Sequence, residues 1–223
     1  MNAFVIAFNR TFRIGWRHPL DSLNPMAFFI IVTSLISITF EGGSLATGDG
    51  LAIAVLWVVL LLSTMMASGG AYAQDYEDGS LEQVIAQNQS LYVSVHGSVA
   101  ARWFLCAVPI VALVPLGAWM LNIDTEVWWI LFITLIPGSI VFTLFGVLGA
   151  TLTLGVGRNG VLLALLVLPL YVPVLLLGVG ACQRSANQEP FEFALIGILA
   201  IAMGAITFLP FAIAALLRVS QEY

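Results

Sequence analysis

Several stretches of this sequence run for roughly 17 to 28 residues without an Asp, Glu, Lys or Arg. Their side chains are almost all apolar. A helix of about 20 such residues, rising about 1.5 Å each, crosses the ~30 Å hydrocarbon core of a bilayer. Six segments qualify: Pro25–Phe40, Leu51–Ala73, Val99–Leu121, Val127–Leu154, Val161–Ala181 and Phe193–Val219. The first is short and is expected to tilt or to borrow a turn from Leu23-Asn24; the fourth is long and is expected to bend at Pro137-Gly138. A membrane barrel would need alternating strands of about 10 residues, and none of these runs alternates. The expected fold is therefore an all-α polytopic membrane protein in a single domain spanning residues 1–223.

Composition says what such a chain is not. Soluble domains carry about 25% charged residues, whereas this one has 9% charged and 61% hydrophobic. A soluble enzyme, a disulfide-stapled secreted scaffold and a nucleic-acid binder are all excluded. The placement of the charges is more informative than the net value of −5. Lysine is absent, and with six spans both termini share a side. That side holds Arg10, Arg13, Arg17, Arg102, Arg158 and Arg218, against Arg184 alone on the other. The positive-inside bias places both termini in the cytoplasm. The opposite loops, Glu41–Gly50, Asn122–Glu126 and Cys182–Glu192, are short and mostly acidic.

The opening residues do not read as a signal peptide, because their arginines follow the apolar positions instead of preceding them. At about 100° per residue, Arg10, Arg13 and Arg17 share one face while Val5, Phe8, Phe12 and Trp16 share the other. Residues 3–18 are read as an interfacial amphipathic helix, its arginines (with Arg158) anchoring to phosphates and Pro19 ending it. The alternative is a disordered basic leader. Cys106 and Cys182 fall in different spans and are expected to stay unbridged.

Two familiar patterns fail on context. Gly155-Val156-Gly157-Arg158-Asn159-Gly160 spells G-x-G-x-x-G, but it joins two apolar helices instead of a strand and a helix, so it is no dinucleotide site. A chain without lysine cannot carry a Walker-type phosphate loop. No Cys/His cluster has metal-ligand spacing, and His18 and His96 read as structural. No ionisable residue lies deep in the six segments, which argues against an ion-driven carrier and points to energy supplied from outside the bilayer. Pro109, Pro115, Pro137, Pro169, Pro173 and Pro210 lie within the spans, either fixing static shape or permitting rearrangement.

The most unusual segment is the inner loop after the second span. It reads Gln74-Asp75-Tyr76-Glu77-Asp78-Gly79-Ser80-Leu81-Glu82-Gln83-Val84-Ile85. Ser80 and Gln83 form a capping box, Glu82 suits the positive helix end, and Leu81, Val84 and Ile85 share a face. A short amphipathic helix preceded by carboxylates repels anionic lipid, as a protein-docking segment would. The alternative is a solvated surface turn.

Glu77 to Gln83 resembles the first cytoplasmic loop of ABC-2-type ABC transporter permeases, in which a short coupling helix enters a cleft on the ATPase. More narrowly, the chain resembles the CcmB family, the haem exporter permease of cytochrome c maturation. The likeness rests on Asp75–Val84, on Leu152–Pro173 and on Leu209–Arg218. It departs from the family where Gln87-Asn88-Gln89-Ser90-Leu91 replaces a Leu-Pro-rich stretch. The resemblance implies an ABC-2-type permease fold in the bacterial inner membrane, non-catalytic and coupled to a CcmA-like ATPase through a loop at residues 75–90. It implies CcmC-like and CcmD-like partner subunits, a second permease copy and haem as the cargo handled. It assigns ATPase docking to Glu77, Asp78, Gly79, Ser80, Leu81, Glu82, Gln83 and Val84. The rival readings are an ABC-2 permease for a lipid, drug or polysaccharide, and a non-transporting scaffold.

The charge placement makes a topology prediction. A fluorescent protein fused after Tyr223 should mature and glow, and alkaline phosphatase inserted within Cys182–Glu192 should be active; the reverse pattern would invert the assigned orientation.

Overall fold

A computed structural model describes residues 3–39, 49–79, 91–154 and 160–219, with side chains at 49 and 160–166 outside that description. Among the described residues the regular structure is all helical. The elements are α1 (Ala3–Arg17), α2 (Leu20–Thr39), α3 (Asp49–Ser68), α4 (Ala73–Glu77) and α5 (Leu91–Arg102). A π-helical turn at Trp103–Ala107 follows, then α6 (Val108–Ala112), α7 (Val114–Met120), α8 (Thr125–Leu152), α9 (Gly160–Ala186) and α10 (Glu192–Val219). Six helical segments are long and apolar enough to cross a membrane. This is a multi-pass membrane protein.

The helix limits differ from the sequence reading in places with physical causes. The first span begins at Leu20, five residues before the expected Pro25, which lies inside α2. The third helical segment starts at Leu91, eight residues before the expected Val99, so that Leu91–Ser98 is helix instead of loop. That segment is also broken. Pro109 and Pro115 each remove an amide donor, and the chain answers with the π turn before Pro109 and an interruption at Leu113 between α6 and α7. By contrast α8 runs unbroken through Pro137. The connection between α9 and α10 spans Asn187–Phe191, shorter than the Cys182–Glu192 loop expected. It leaves no re-entrant helix among the described residues.

The core forms where α3, α8 and α9 meet. Trp57 of α3 is fully buried and packs edge-on against Phe142 of α8. Its indole lies in a slot between Gly138 and Gly178. A Cβ at residue 138 would approach it to 2.8 Å, and one at residue 178 to 2.3 Å. Farther along α3, Ser68 lies where a Cβ on Gly146 would come within 2.5 Å, so α3 and α8 are in close approach over much of their length. Tyr171 of α9 donates its hydroxyl to the Phe142 carbonyl at 3.1 Å and fixes the third side of this core. Large apolar side chains on α2 and α10, such as Leu35, Ile38, Phe193 and Phe208, stay exposed and present a surface suited to lipid.

Polar groups inside the bundle follow the same solvent logic. The hydroxyls of Ser63, Thr134, Thr143 and Thr151 donate to the carbonyl one turn back. Pro210 leaves the Ile206 carbonyl of α10 without its helical donor. His96 of α5 supplies one, with Nε2 3.0 Å from that oxygen, while Nδ1 lies 3.1 Å from the Tyr92 carbonyl. Both neighbours are acceptors, so the ring donates to one as a neutral tautomer and to both only as the imidazolium. The structural reading of His96 acquires a specific role.

Filling the Trp57 slot should be costly where an equivalent change nearby is not. Gly178→Val is expected to destabilise the protein by about 1–3 kcal/mol through overpacking. Gly180→Ala, with open space around it, should be neutral or better; thermal unfolding of the purified variants in detergent checks both.

Candidate functional site

At the end of the bundle that carries α1, the chain leaves α3 at Ser68 and turns through Gly69 and Gly70 to Tyr72. Tyr72 adopts φ 61°, a left-handed conformation that costs a non-glycine residue about 1–2 kcal/mol. Its side chain is held in compensation. The phenol is buried and donates to the Ser98 hydroxyl of α5, which itself donates to the Val95 carbonyl, and the Arg102 guanidinium lies 5.5 Å from the ring centre. The one-and-a-half-turn helix α4 follows. It ends at Gly79, whose φ of 68° is the left-handed C-cap position that glycine adopts without strain. Gln74–Glu77, read from sequence as the start of the inner loop, are thus helical together with Ala73.

The predicted docking residues divide here. Glu77, Asp78 and Gly79 are exposed at the end of α4. Ser80, Leu81, Glu82, Gln83 and Val84 lie outside the described residues, as does Arg158. Asp75 does not belong with the exposed carboxylates, although the sequence grouped it with them. It turns inward and takes a two-pronged contact from Arg10 of α1, at 2.7 Å (Nη2 to Oδ1) and 3.4 Å (Nη1 to Oδ2). Arg10 was expected to reach for phosphate; it is engaged by a carboxylate instead. Arg13 and Arg17 remain exposed beside it.

Helix α1 is also not free to lie apart from the bundle. At Gly97 of α5 a Cβ would approach the Phe4 carbonyl oxygen to 2.4 Å and the Phe8 nitrogen to 3.1 Å. The two backbones thus meet where residue 97 has no side chain. A Cβ on Gly15 would likewise meet Leu105 at 2.6 Å. Phe4, Phe8, Phe12 and Trp16 stack along one side of α1, and Phe8 also meets Phe104 edge-on. Residues Ala3–Arg17 are helical, with one face seated on the third segment.

Beside α4 opens a cavity of about 870 Å³, lined by the α1–α2 turn, the end of α3, α4, Arg102 and Thr153. His18, Met65, Met66 and Arg102 all face it, as do the carboxylates of Asp21, Glu77 and Asp78. Arg102 is counted from sequence among the inner-side arginines, and α5 begins early enough to place it about 16 Å along the segment from Leu91. Its Nε is buried without a hydrogen-bond partner among the described residues. The lining is mixed: an apolar wall (Phe28, Leu62, Met65) stands beside the Arg102 guanidinium and three carboxylates, Asp21, Glu77 and Asp78. Sequence reasoning missed this cavity because its walls are scattered along the chain; no local pattern joins His18 to Met65 or to Arg102.

The family profile described as CcmB protein matches residues 2–220. The chain belongs to the CcmB family. Its relatives include a Haemophilus influenzae protein, 35% identical over 98% of this chain and 99% of its own length, named Heme exporter protein B. A Pseudomonas aeruginosa protein of the same name is 38% identical over 98% of both chains, and an Escherichia coli one is 36% identical over 96% and 97%. The match to this CcmB-family chain runs through α1, α4 and the cavity walls alike, so the candidate site lies wholly within the family's extent.

Accessibility should separate the cavity from the core behind it. In a background carrying Cys106→Ala and Cys182→Ala, Met66→Cys is expected to react with maleimide quickly. Ser68→Cys, packed against Gly146, should be protected by at least about tenfold, as labelling rates in folded protein and in denaturant will show.

Proposed function

We propose that this chain is the membrane permease subunit of an ATP-driven haem exporter serving cytochrome c maturation. The observation that carries the proposal is the near-full-length similarity to proteins named Heme exporter protein B, in a chain whose six apolar spans suit passage across a membrane. In this reading the protein lies in the bacterial inner membrane with both termini cytoplasmic, as the arginine distribution favours. The permease hydrolyses nothing itself. A CcmA-like ATPase supplies the energy, and CcmC-like and CcmD-like subunits and a second permease copy complete the complex.

Docking is assigned to the segment from Glu77 to Val84. The exposed Glu77 and Asp78 would pair with basic residues of the ATPase and Gly79 gives the turn, while Ser80, Leu81, Glu82, Gln83 and Val84, outside the described residues, are assigned to the ATPase cleft by the resemblance, with Leu81 as its apolar plug. Closure of the ATPase dimer then presses on residues 80–86 and so on the base of α4. Haem is a flat apolar plate with two carboxylates; the apolar wall of the cavity beside α4 suits the plate, and Arg102 is the one guanidinium there to meet a carboxylate, against the acidic Asp21, Glu77 and Asp78. Arg13 and Arg17 of α1 keep the interfacial role expected of them, facing lipid phosphate.

A single substitution tests the docking assignment. Leu81→Arg is expected to abolish co-purification of the ATPase while membrane insertion and thermal stability are preserved; an ATPase that still co-purifies in full would refute it.

A further inference from the structure

The N-terminal helix makes contacts that neither span packing nor lipid anchoring calls for. Its backbone is pressed against α5 at Gly97 and its side chain at Arg10 grips Asp75 of α4. Tyr72, immediately before α4, is tied in turn to α5 through Ser98. So α4 is held from two sides, by α1 through the ion pair and by α5 through the phenol, and α1 is itself seated on α5. These three attachments close a ring: α4 to α1, α1 to α5, and α5 back to Tyr72.

A ring of this kind matters because of what lies on either side of it. Outward of α4 are Glu77, Asp78 and Gly79, exposed at the start of the loop. Inward of α5 the third segment departs from continuous α-helix, with the π turn at Trp103–Ala107 and the interruption at Leu113. A short helix like α4 cannot resist a load by itself. One braced against α1 and α5 can pass that load to Trp103–Leu113, where the segment is broken.

We propose that α1 is a brace for the docking loop, and that Arg10 and Asp75 are positioning residues which make a push on α4 move the third segment instead of only rotating α4. The role rests on the docking assignment of Glu77–Val84 and goes beyond it, since the brace touches neither partner nor cargo. It also reassigns the polar face of α1. Arg10 serves the protein, and only Arg13 and Arg17 are left to serve the membrane. Asp75 is required as the acceptor of Arg10, not as one more charge for the ATPase.

A charge-swap cycle tests it in the full complex, reconstituted in liposomes with its ATPase. Arg10→Glu and Asp75→Arg should each leave the ATPase co-purifying and the melting temperature within a few degrees of the parent. Each should lower the stimulation of ATP turnover by this subunit about fivefold, the scale of one lost ion pair. The double variant, which restores the pair with its charges exchanged, should recover most of the stimulation, a recovery that a generally damaged helix would not show. Unchanged stimulation in both single variants would overturn the brace, and so would a double variant worse than either. Leu81→Arg run in parallel keeps the two claims apart. If it removes the ATPase while the swaps have no effect, docking stands and the brace fails; if it leaves the ATPase bound, the docking assignment itself fails.

Discussion

Trp57 lies in a slot between two glycines, and the packing of the bundle follows from that fit. An indole of this size enters between α8 and α9 only because residues 138 and 178 have no side chain to obstruct it. Its burial brings α3 against both helices at once, and Phe142 and Tyr171 close around it. Lipid is as apolar as leucine, so helices in a membrane gain little by hiding leucines from it; they associate where shapes fit closely. The Gly138–Trp57–Gly178 contact and the Ser68–Gly146 contact supply that fit along α3 and make α3, α8 and α9 the closely packed trunk of the molecule.

The third segment is the opposite case. A bilayer offers no water to a carbonyl that has lost its donor, so each proline must be compensated within the protein. In α10 the compensation comes from a neighbour, His96 at the Ile206 oxygen. Around Pro109 and Pro115 it comes from local rewinding, and the segment gives up a continuous α-helix. The third segment and α3 both reach the end where α4 emerges, through Arg102 and Met65. The cavity lined by His18, Met65 and Arg102 lies at that junction. Movement of the third segment relative to the trunk would therefore change the shape of the cavity, which is the geometric requirement for linking ATP use to a cargo.

The spans, their number and the amphipathic N-terminal helix were legible in the sequence because each is written in local periodicity and in the spacing of a few charges. The start of α5 was not. Leu91–Ser98 contains Ser94, His96, Gly97 and Ser98, which read as loop, yet the last three each have a tertiary reason to be helical. Ser98 accepts from Tyr72, Gly97 admits α1, and His96 reaches α10. Asp75 was misgrouped for a similar reason: in one dimension it is the first of four nearby carboxylates, and only the fold shows that Arg10, far away in sequence, lies beside it. Gly178 gave no signal and Gly138 only a misleading one, as part of an expected bend at Pro137-Gly138, since a glycine that makes room for a distant tryptophan looks like any other glycine in an apolar helix.

The central claim is that the segment beginning at α4 is where a partner ATPase engages this permease and drives it. Hydrogen exchange on the chain in nanodiscs, with and without the ATPase, addresses that claim residue by residue. Amides of residues 74–86 should exchange more slowly in the complex. Addition of ATP should then change exchange at 103–113, in the broken part of the third segment. Slowed exchange confined to other loops, with 74–86 unaltered by the ATPase, would contradict the account.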